Sequence, residues 1–205
     1  MALRTKNGLL SFERDDDLIY IPVAIADGAD IAQEARIMSY YYRAASIFRD
    51  DNVDLSKLSG QLFIWGHGDK GFRAIGTSKA QSLCTEIAKD LERKGLPDGK
   101  DVILWSCWAG SDGGLAESLW LSFQGTSLKN ITVYGPKYAT GTMTDFPSPD
   151  KYERGLWIYD QESKPAGDLA IDSKSGDKKL KGKVHAKPEH LRGISDRSGI
   201  RSAEV

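Results

Sequence analysis

The chain has 205 residues, with 28 Lys and Arg against 29 Asp and Glu, which gives a formal net charge of −1. A balance this even argues against a general nucleic-acid binder, which usually carries a basic excess, and no apolar run approaches the roughly 18 residues of a membrane span. Its two cysteines, Cys84 and Cys107, are too few for a disulfide framework or a four-cysteine zinc site. We therefore expect free thiols in a reducing compartment, with no metal, no cofactor, no nucleic-acid partner and no membrane partner.

The first half of the chain predicts two strands and two helices. Residues 18–25 and 61–65 are apolar runs of strand length. Residues 31–49 repeat apolar side chains at spacings of 3 or 4, which predicts an amphipathic helix. Ser78 with Gln81 three residues later matches a capping box, so a second helix is predicted to begin at Ser78 and to bury Cys84.

The next segments continue the alternation of strands and helices. Residues 102–105 and 131–134 are apolar strands, and residues 115–124 have the spacing of a helix. Strands that are apolar on both faces and alternate with helices are typical of a parallel sheet covered on both sides. The predicted fold class is therefore α/β.

The composition changes after residue 159. Residues 160–205 contain no Phe, Trp or Tyr. We predict one main folded domain over residues 1–159, large enough to hold an active site. Residues 160–205 are predicted to form a polar, Lys-rich C-terminal tail or a solvated hairpin. This second segment holds a lysine cluster that is a candidate site for an anionic ligand or partner: Lys174, Lys178, Lys179, Lys181, Lys183 and Lys187.

Two reactive side chains follow predicted strands. His67 comes just after residues 61–65, and Cys107 comes 40 residues later, just after residues 102–105. Ligands of open α/β sheets bind outside the carboxyl ends of the strands. A thiol needs a base to become a strong nucleophile near neutral pH, and histidine suits that role. The N–H groups of Gly68 and Cys107 are candidates for an oxyanion hole.

These motifs resemble those of clan CD cysteine peptidases. The chain reads LFIWGHG at residues 62–68 and VILWSCWAG at residues 102–110. An apolar strand ending in His-Gly, followed by an apolar strand ending in Cys, is similar to the caspase, legumain and gingipain group, which includes the autoprocessing protease domains of bacterial toxins. The resemblance implies a caspase-like three-layer sandwich with a mostly parallel central sheet flanked by helices. It also implies a His67–Cys107 dyad that hydrolyses peptide bonds of a protein or peptide substrate.

Four further residues are candidates for substrate binding. Asp69 follows the histidine motif and can orient the imidazole or bind a basic side chain. Trp108 follows the candidate nucleophile and is expected to line the cleft. Lys137 and Tyr138 follow the last predicted strand, in a region that in the resembled family helps to form the pocket for the residue before the scissile bond. The caspases' own Gln-Ala-Cys signature is absent from this chain.

Other interpretations of the same residues remain open. A cysteine after a buried strand is often a small core residue. The same dyad would also serve a deamidase or another amidase. Residues 66–71 match the dinucleotide pattern G-x-G-x-x-G, which requires a helix directly afterwards, so a non-catalytic nucleotide- or partner-binding module is a third interpretation. The N-terminus lacks an apolar signal core, which predicts a cytoplasmic location, or secretion without a signal peptide as an effector.

Overall fold

The computed structural model describes residues 4–6, 9–11, 17–28, 31, 44–68, 73–136, 140–142, 156–158 and 191–194. Within these ranges the helices are α1 (Cys84–Arg93) and α2 (Leu115–Gln124), with a short 3-10 turn at Ile25–Asp27. The strands are, in chain order, β1 (Arg4–Lys6), β2 (Leu9–Ser11), β3 (Leu18–Ile21), β4 (Ala45–Phe48), β5 (Val53–Asp54), β6 (Leu62–Trp65), β7 (Ala74–Gly76), β8 (Gln81–Leu83), β9 (Asp101–Trp105), β10 (Thr132–Pro136), β11 (Thr140–Thr142), β12 (Leu156–Ile158) and β13 (Leu191–Ile194).

A six-stranded sheet forms the centre of the fold, in the order β13-β10-β9-β6-β3-β4. Strands β10, β9, β6, β3 and β4 are parallel, and β13 pairs antiparallel with β10 at one edge. Every residue of β3 and β6 is buried, which agrees with their apolar sequences on both faces. The predicted α/β fold with a mostly parallel central sheet is confirmed.

The two faces of this sheet have separate apolar cores. The helices α1 and α2 pack on one face, where Tyr20, Leu62 and Leu104 point. The other face carries Phe63 and Trp105. The connection β6→β9 carries α1 and the connection β9→β10 carries α2, whereas Ile31, after β3, is buried in the core of the other face.

No helix in the described part of the chain combines the length and the apolar character needed to cross a membrane. The strands β1-β2-β5, β7-β8 and β11-β12 form three further small sheets, and Gly76 of β7 bridges to His67, just after β6.

The predicted helix over residues 31–49 is wrong at its end. Residues 45–48 form strand β4, parallel to β3. Ala45 and Ile47 are buried while Ser46 and Phe48 are half-buried, which is the two-residue alternation of a strand. The sequence favoured a helix here because Ala45 and Phe48 also fit the helical spacing of three residues. Ile31 has helical backbone, and residues 32–43 lie outside the described residues.

The helix predicted to begin at Ser78 begins at Cys84 instead. Residues 81–83 form β8, which pairs with β7 as a hairpin. The Thr77 hydroxyl accepts the Ala80 N–H at 3.1 Å, so it closes the hairpin turn that the sequence pattern had assigned to a helix cap. At the true helix start, the Glu86 carboxylate accepts the Leu83 N–H at 3.2 Å.

The segment predicted to be a tail or hairpin contributes β13 to the edge of the central sheet. In this pairing Leu191 lies opposite Pro136 and Ile194 lies opposite Val133. Residues 160–190 and 195–205, including the lysine cluster, lie outside the described residues.

Candidate functional site

His67 and Cys107 follow the carboxyl ends of two neighbouring parallel strands. In the register of β6 and β9, Leu62 lies opposite Val102 and Trp65 lies opposite Trp105. The pairing continues past the strands, since the Gly66 N–H donates to the Trp105 carbonyl at 3.4 Å. His67 and Cys107 therefore lie just beyond the ends of adjacent strands, with Cys107 in the turn that follows β9.

Ser106 joins the two motifs directly. Its side chain is 1% exposed, and its hydroxyl donates to the Gly66 carbonyl at 2.7 Å. This bond fixes the backbone just before His67 to the residue just before Cys107. Buried polar groups need such partners, so the bond stabilises one relative position of the two segments.

Gly68 permits close packing between these segments. A Cβ atom at this position would lie 2.8 Å from the Ser106 Cβ and would also collide with the Leu115 Cδ1. Real Cβ atoms do not approach so closely, so the contact requires glycine. The segment 67–68 thus packs against the start of α2 and against the residue preceding Cys107.

On its other side His67 is held by the hairpin β7-β8. The His67 N–H donates to the Gly76 carbonyl at 2.6 Å, and the Gly76 N–H donates to the His67 carbonyl at 3.3 Å. The residue itself is exposed. The backbone of His67 is therefore fixed between two strands while its imidazole has access to solvent.

Cys107 and Trp108 are the central residues of a tight turn. The Ala109 N–H donates to the Ser106 carbonyl at 3.2 Å and closes it. Trp108 has a φ of 51°, in the left-handed region that non-glycine residues rarely adopt. Its carbonyl accepts the Ser111 hydroxyl at 2.7 Å and the Ser111 N–H at 3.0 Å, which helps to hold this conformation. Backbone strain of this kind clusters at functional sites.

The two cysteines have different environments. Cys107 forms no disulfide and is half-buried, so it borders solvent beside the 36% exposed Trp108. Cys84 is 2% exposed on α1, and burial raises the pKa of its thiol to about 12. Cys84 is thus a core residue, as predicted, and remains a protonated thiol at neutral pH.

A tryptophan pair lies beneath the site. Trp65 and Trp105 are the last residues of β6 and β9, and their rings stack with centroids 6.2 Å apart and an interplanar angle of 25°. Both are buried. They give the two strand ends a rigid apolar support, because large aromatic contacts stabilise packing beyond their buried area.

No protein-family model matches this sequence, and no curated protein matches it either. Within the described ranges, no group of three or more His, Cys, Asp or Glu side chains is placed to hold a metal ion.

Of the predicted site residues, the structure brings His67, Gly68, Cys107 and Trp108 together at one edge of the sheet. Asp69, Lys137 and Tyr138 lie outside the described residues. Sequence reasoning missed Ser106. A small polar residue at the end of a fully apolar strand was the available signal, because such a hydroxyl needs a buried partner.

Proposed function

We propose that the protein is a cysteine hydrolase that cleaves peptide bonds, with His67 and Cys107 as its catalytic dyad. The observation that carries the proposal is the register of β6 and β9, strengthened by the bond from the Ser106 hydroxyl to the Gly66 carbonyl. In this register His67 and Cys107 follow adjacent strand ends, at the edge of a parallel sheet where ligands bind.

In this mechanism His67 takes the proton of the Cys107 thiol as the sulfur attacks the substrate carbonyl carbon. The backbone N–H groups of Gly68 and Cys107 donate to the resulting oxyanion. The tetrahedral intermediate collapses to a thioester, and His67 gives its proton to the departing amine. Water then attacks the thioester with His67 as base, which releases the carboxylic acid and restores the thiol.

Three observations support this chemistry. The backbone strain at Trp108 adjoins the proposed nucleophile. Cys107 is half-buried while Cys84 is buried, so the accessible thiol is the one beside His67. The mostly parallel sheet is compatible with the caspase-like sandwich that the resemblance implies. Neither cysteine forms a disulfide, which is compatible with a reducing compartment such as the cytoplasm.

The dinucleotide interpretation is not favoured by the geometry. Its glycine pattern must lead directly into a helix whose N-terminus holds the pyrophosphate. Residues 74–76, which come soon after the pattern, form strand β7, and the first helix described after the pattern begins at Cys84.

Mass spectrometry of a denatured protein mixture incubated with the full chain tests the proposal. We expect new peptide termini with the native protein and with Cys84→Ala, and none with Cys107→Ala. Cys84→Ala is the matched control because it removes the other thiol. Deamidated Gln or Asn side chains without new termini would replace peptide cleavage by deamidation, and no Cys107-dependent change of either kind would refute the hydrolase.

A further inference from the structure

A pocket of about 350 Å³ opens next to the carboxyl ends of β3 and β4. Residues that follow these strands form one wall, strand β8 forms another, and Arg93 of α1 completes it. The pocket lies at the same edge of the central sheet as His67 and Cys107, because β3 is the neighbour of β6 and all these strands are parallel.

In the described part of the chain, strand β8 pairs with β7 and with no other strand, so its second edge is a sheet edge. Gly76 exchanges both of its backbone hydrogen bonds with His67, so its N–H and C=O point away from its partner Gln81. In an antiparallel ladder the N–H and C=O of Gln81 must then also point away from β7, to the outer edge of the hairpin. Gln81 lines the pocket. An exposed strand edge of this kind pairs with an extended peptide.

The wall next to this edge carries guanidinium groups. Arg49 is 38% exposed, and its Nη1 donates to the Ser82 hydroxyl at 2.7 Å and lies 3.3 Å from a Glu86 carboxylate oxygen. A guanidinium has five N–H donors in a fixed fork, so others remain for a carboxylate. Arg93, 75% exposed and paired with Asp90, adds a second guanidinium to the lining.

Two aspartates also line the pocket. Asp27 belongs to the 3-10 turn after β3, and an Asp50 carboxylate oxygen accepts the Ile25 N–H at 3.0 Å. The arginines are on the side of α1 and Ser82, and the aspartates are on the side of the 3-10 turn. A carboxylate that enters next to Ser82 therefore lies beside the Arg49 guanidinium, which contacts the Ser82 hydroxyl.

We infer that this pocket is a substrate exosite that binds an extended polypeptide segment carrying an acidic side chain. One residue of the segment pairs with Gln81, and its neighbour, opposite Ser82, directs its carboxylate to Arg49 and Arg93. The inference rests on the proposed function, because it makes the bound segment part of the hydrolysed polypeptide. A strand added to β8 would lie about 14 Å from the His67 backbone, three strand spacings away, so roughly four or five residues must separate it from the scissile bond.

Fluorescence anisotropy with the full chain carrying Cys107→Ala tests the exosite without hydrolysis. The ligands are labelled Ser- and Thr-rich peptides of about nine residues with a central Glu, Gln or Lys. We expect the Glu peptide to bind about fivefold more tightly than the Gln peptide, and the Lys peptide to bind most weakly. Arg49→Gln should remove the advantage of Glu over Gln, whereas Lys89→Gln, at an exposed position of α1, should preserve it.

Backbone pairing is tested on the peptide, so protein folding is not at risk. N-methylation of the residue on one side of the central Glu should abolish binding if that residue pairs with Gln81, and methylation on the other side should have a smaller effect. Equal affinities for the Glu and Lys peptides, or equal effects of Arg49→Gln and Lys89→Gln, would overturn the exosite. If none of the labelled peptides binds but peptide cleavage still depends on Cys107, the exosite is refuted and the hydrolase is not. Binding as expected without any cleavage refutes the hydrolase and leaves a peptide-binding site.

Discussion

Ser106→Ala tests whether one buried hydroxyl positions the two halves of the site. The substitution removes the 2.7 Å bond to the Gly66 carbonyl and keeps the Cβ that packs close to Gly68. A buried carbonyl left without its partner costs about 1–3 kcal/mol of unfolding free energy. For a chain of this size that corresponds to a Tm lowered by roughly 2–12 °C.

The informative readout is the alkylation rate of Cys107 in the folded protein. If the hydroxyl sets the spacing of His67 and Cys107, its loss should slow alkylation by iodoacetamide at neutral pH by at least about tenfold, since small misplacements of reacting groups have large rate effects. Urea unfolding of the same variant gives the stability change separately. A variant that is only less stable would alkylate at the native rate in the absence of urea.

Ser122→Ala is the matched control. The Ser122 hydroxyl donates to the Ser118 carbonyl at the same distance, 2.7 Å, but within α2. Alanine is the better helix former, so the free energy of unfolding should change by no more than about 0.5 kcal/mol and the Cys107 rate should not change. Equal alkylation rates of Cys107 in Ser106→Ala and Ser122→Ala would refute the claim that the Ser106 hydroxyl positions the site.

Three further predictions follow from the packing. Gly68→Ala should lower the urea-unfolding free energy by about 1–3 kcal/mol, because the new methyl collides with Leu115; unchanged stability would contradict the close contact. Cys84 should resist iodoacetamide until the protein unfolds, because burial raises its pKa to about 12; mass spectrometry of the folded protein showing both cysteines alkylated equally fast would disprove this. Burial, with the Asp90 carboxylate beside it, raises the pKa of Tyr20. Folding therefore favours the protonated phenol, and stability should fall as pH rises above about 10, more steeply than in Tyr20→Phe; urea titrations that show equal slopes would contradict it.

The sequence predicted the central strands well because they are buried on both sides. The apolar runs of β3 and β6, and residues 102–105 of β9, are buried on both faces, which is the pattern of a parallel sheet, whereas Thr132 and Tyr134 of β10 are half-buried. Strand β4 was missed because Ala45 and Phe48 fit the helical spacing of 3, whereas Ala45 and Ile47 fit the strand spacing of 2, and only the pairing with β3 decides between them. Strand β8 was missed because a Thr77 turn and a capping box use the same residue types.

For the candidate site, the sequence identified the strand-end residues but not what fixes them. The positions of His67 and Cys107 followed from chain order and strand length alone. The bond from Ser106 to Gly66 and the packing of Gly68 against Leu115 join segments about 40 residues apart, so they depend on tertiary packing. The left-handed backbone at Trp108 has no local signal, because tryptophan does not favour it.

The alkylation rate of Cys107 in the presence and absence of His67 tests the dyad most directly. The measurement uses the full chain with Cys84→Ala, so that Cys107 is the single thiol, and compares His67→Ala with the control His185→Ala at neutral pH. The dyad predicts that Cys107 reacts faster than a free model thiol, that His67→Ala slows it by about tenfold or more, and that His185→Ala has no effect. A Cys107 rate no faster than the model thiol and unchanged by His67→Ala would contradict the account.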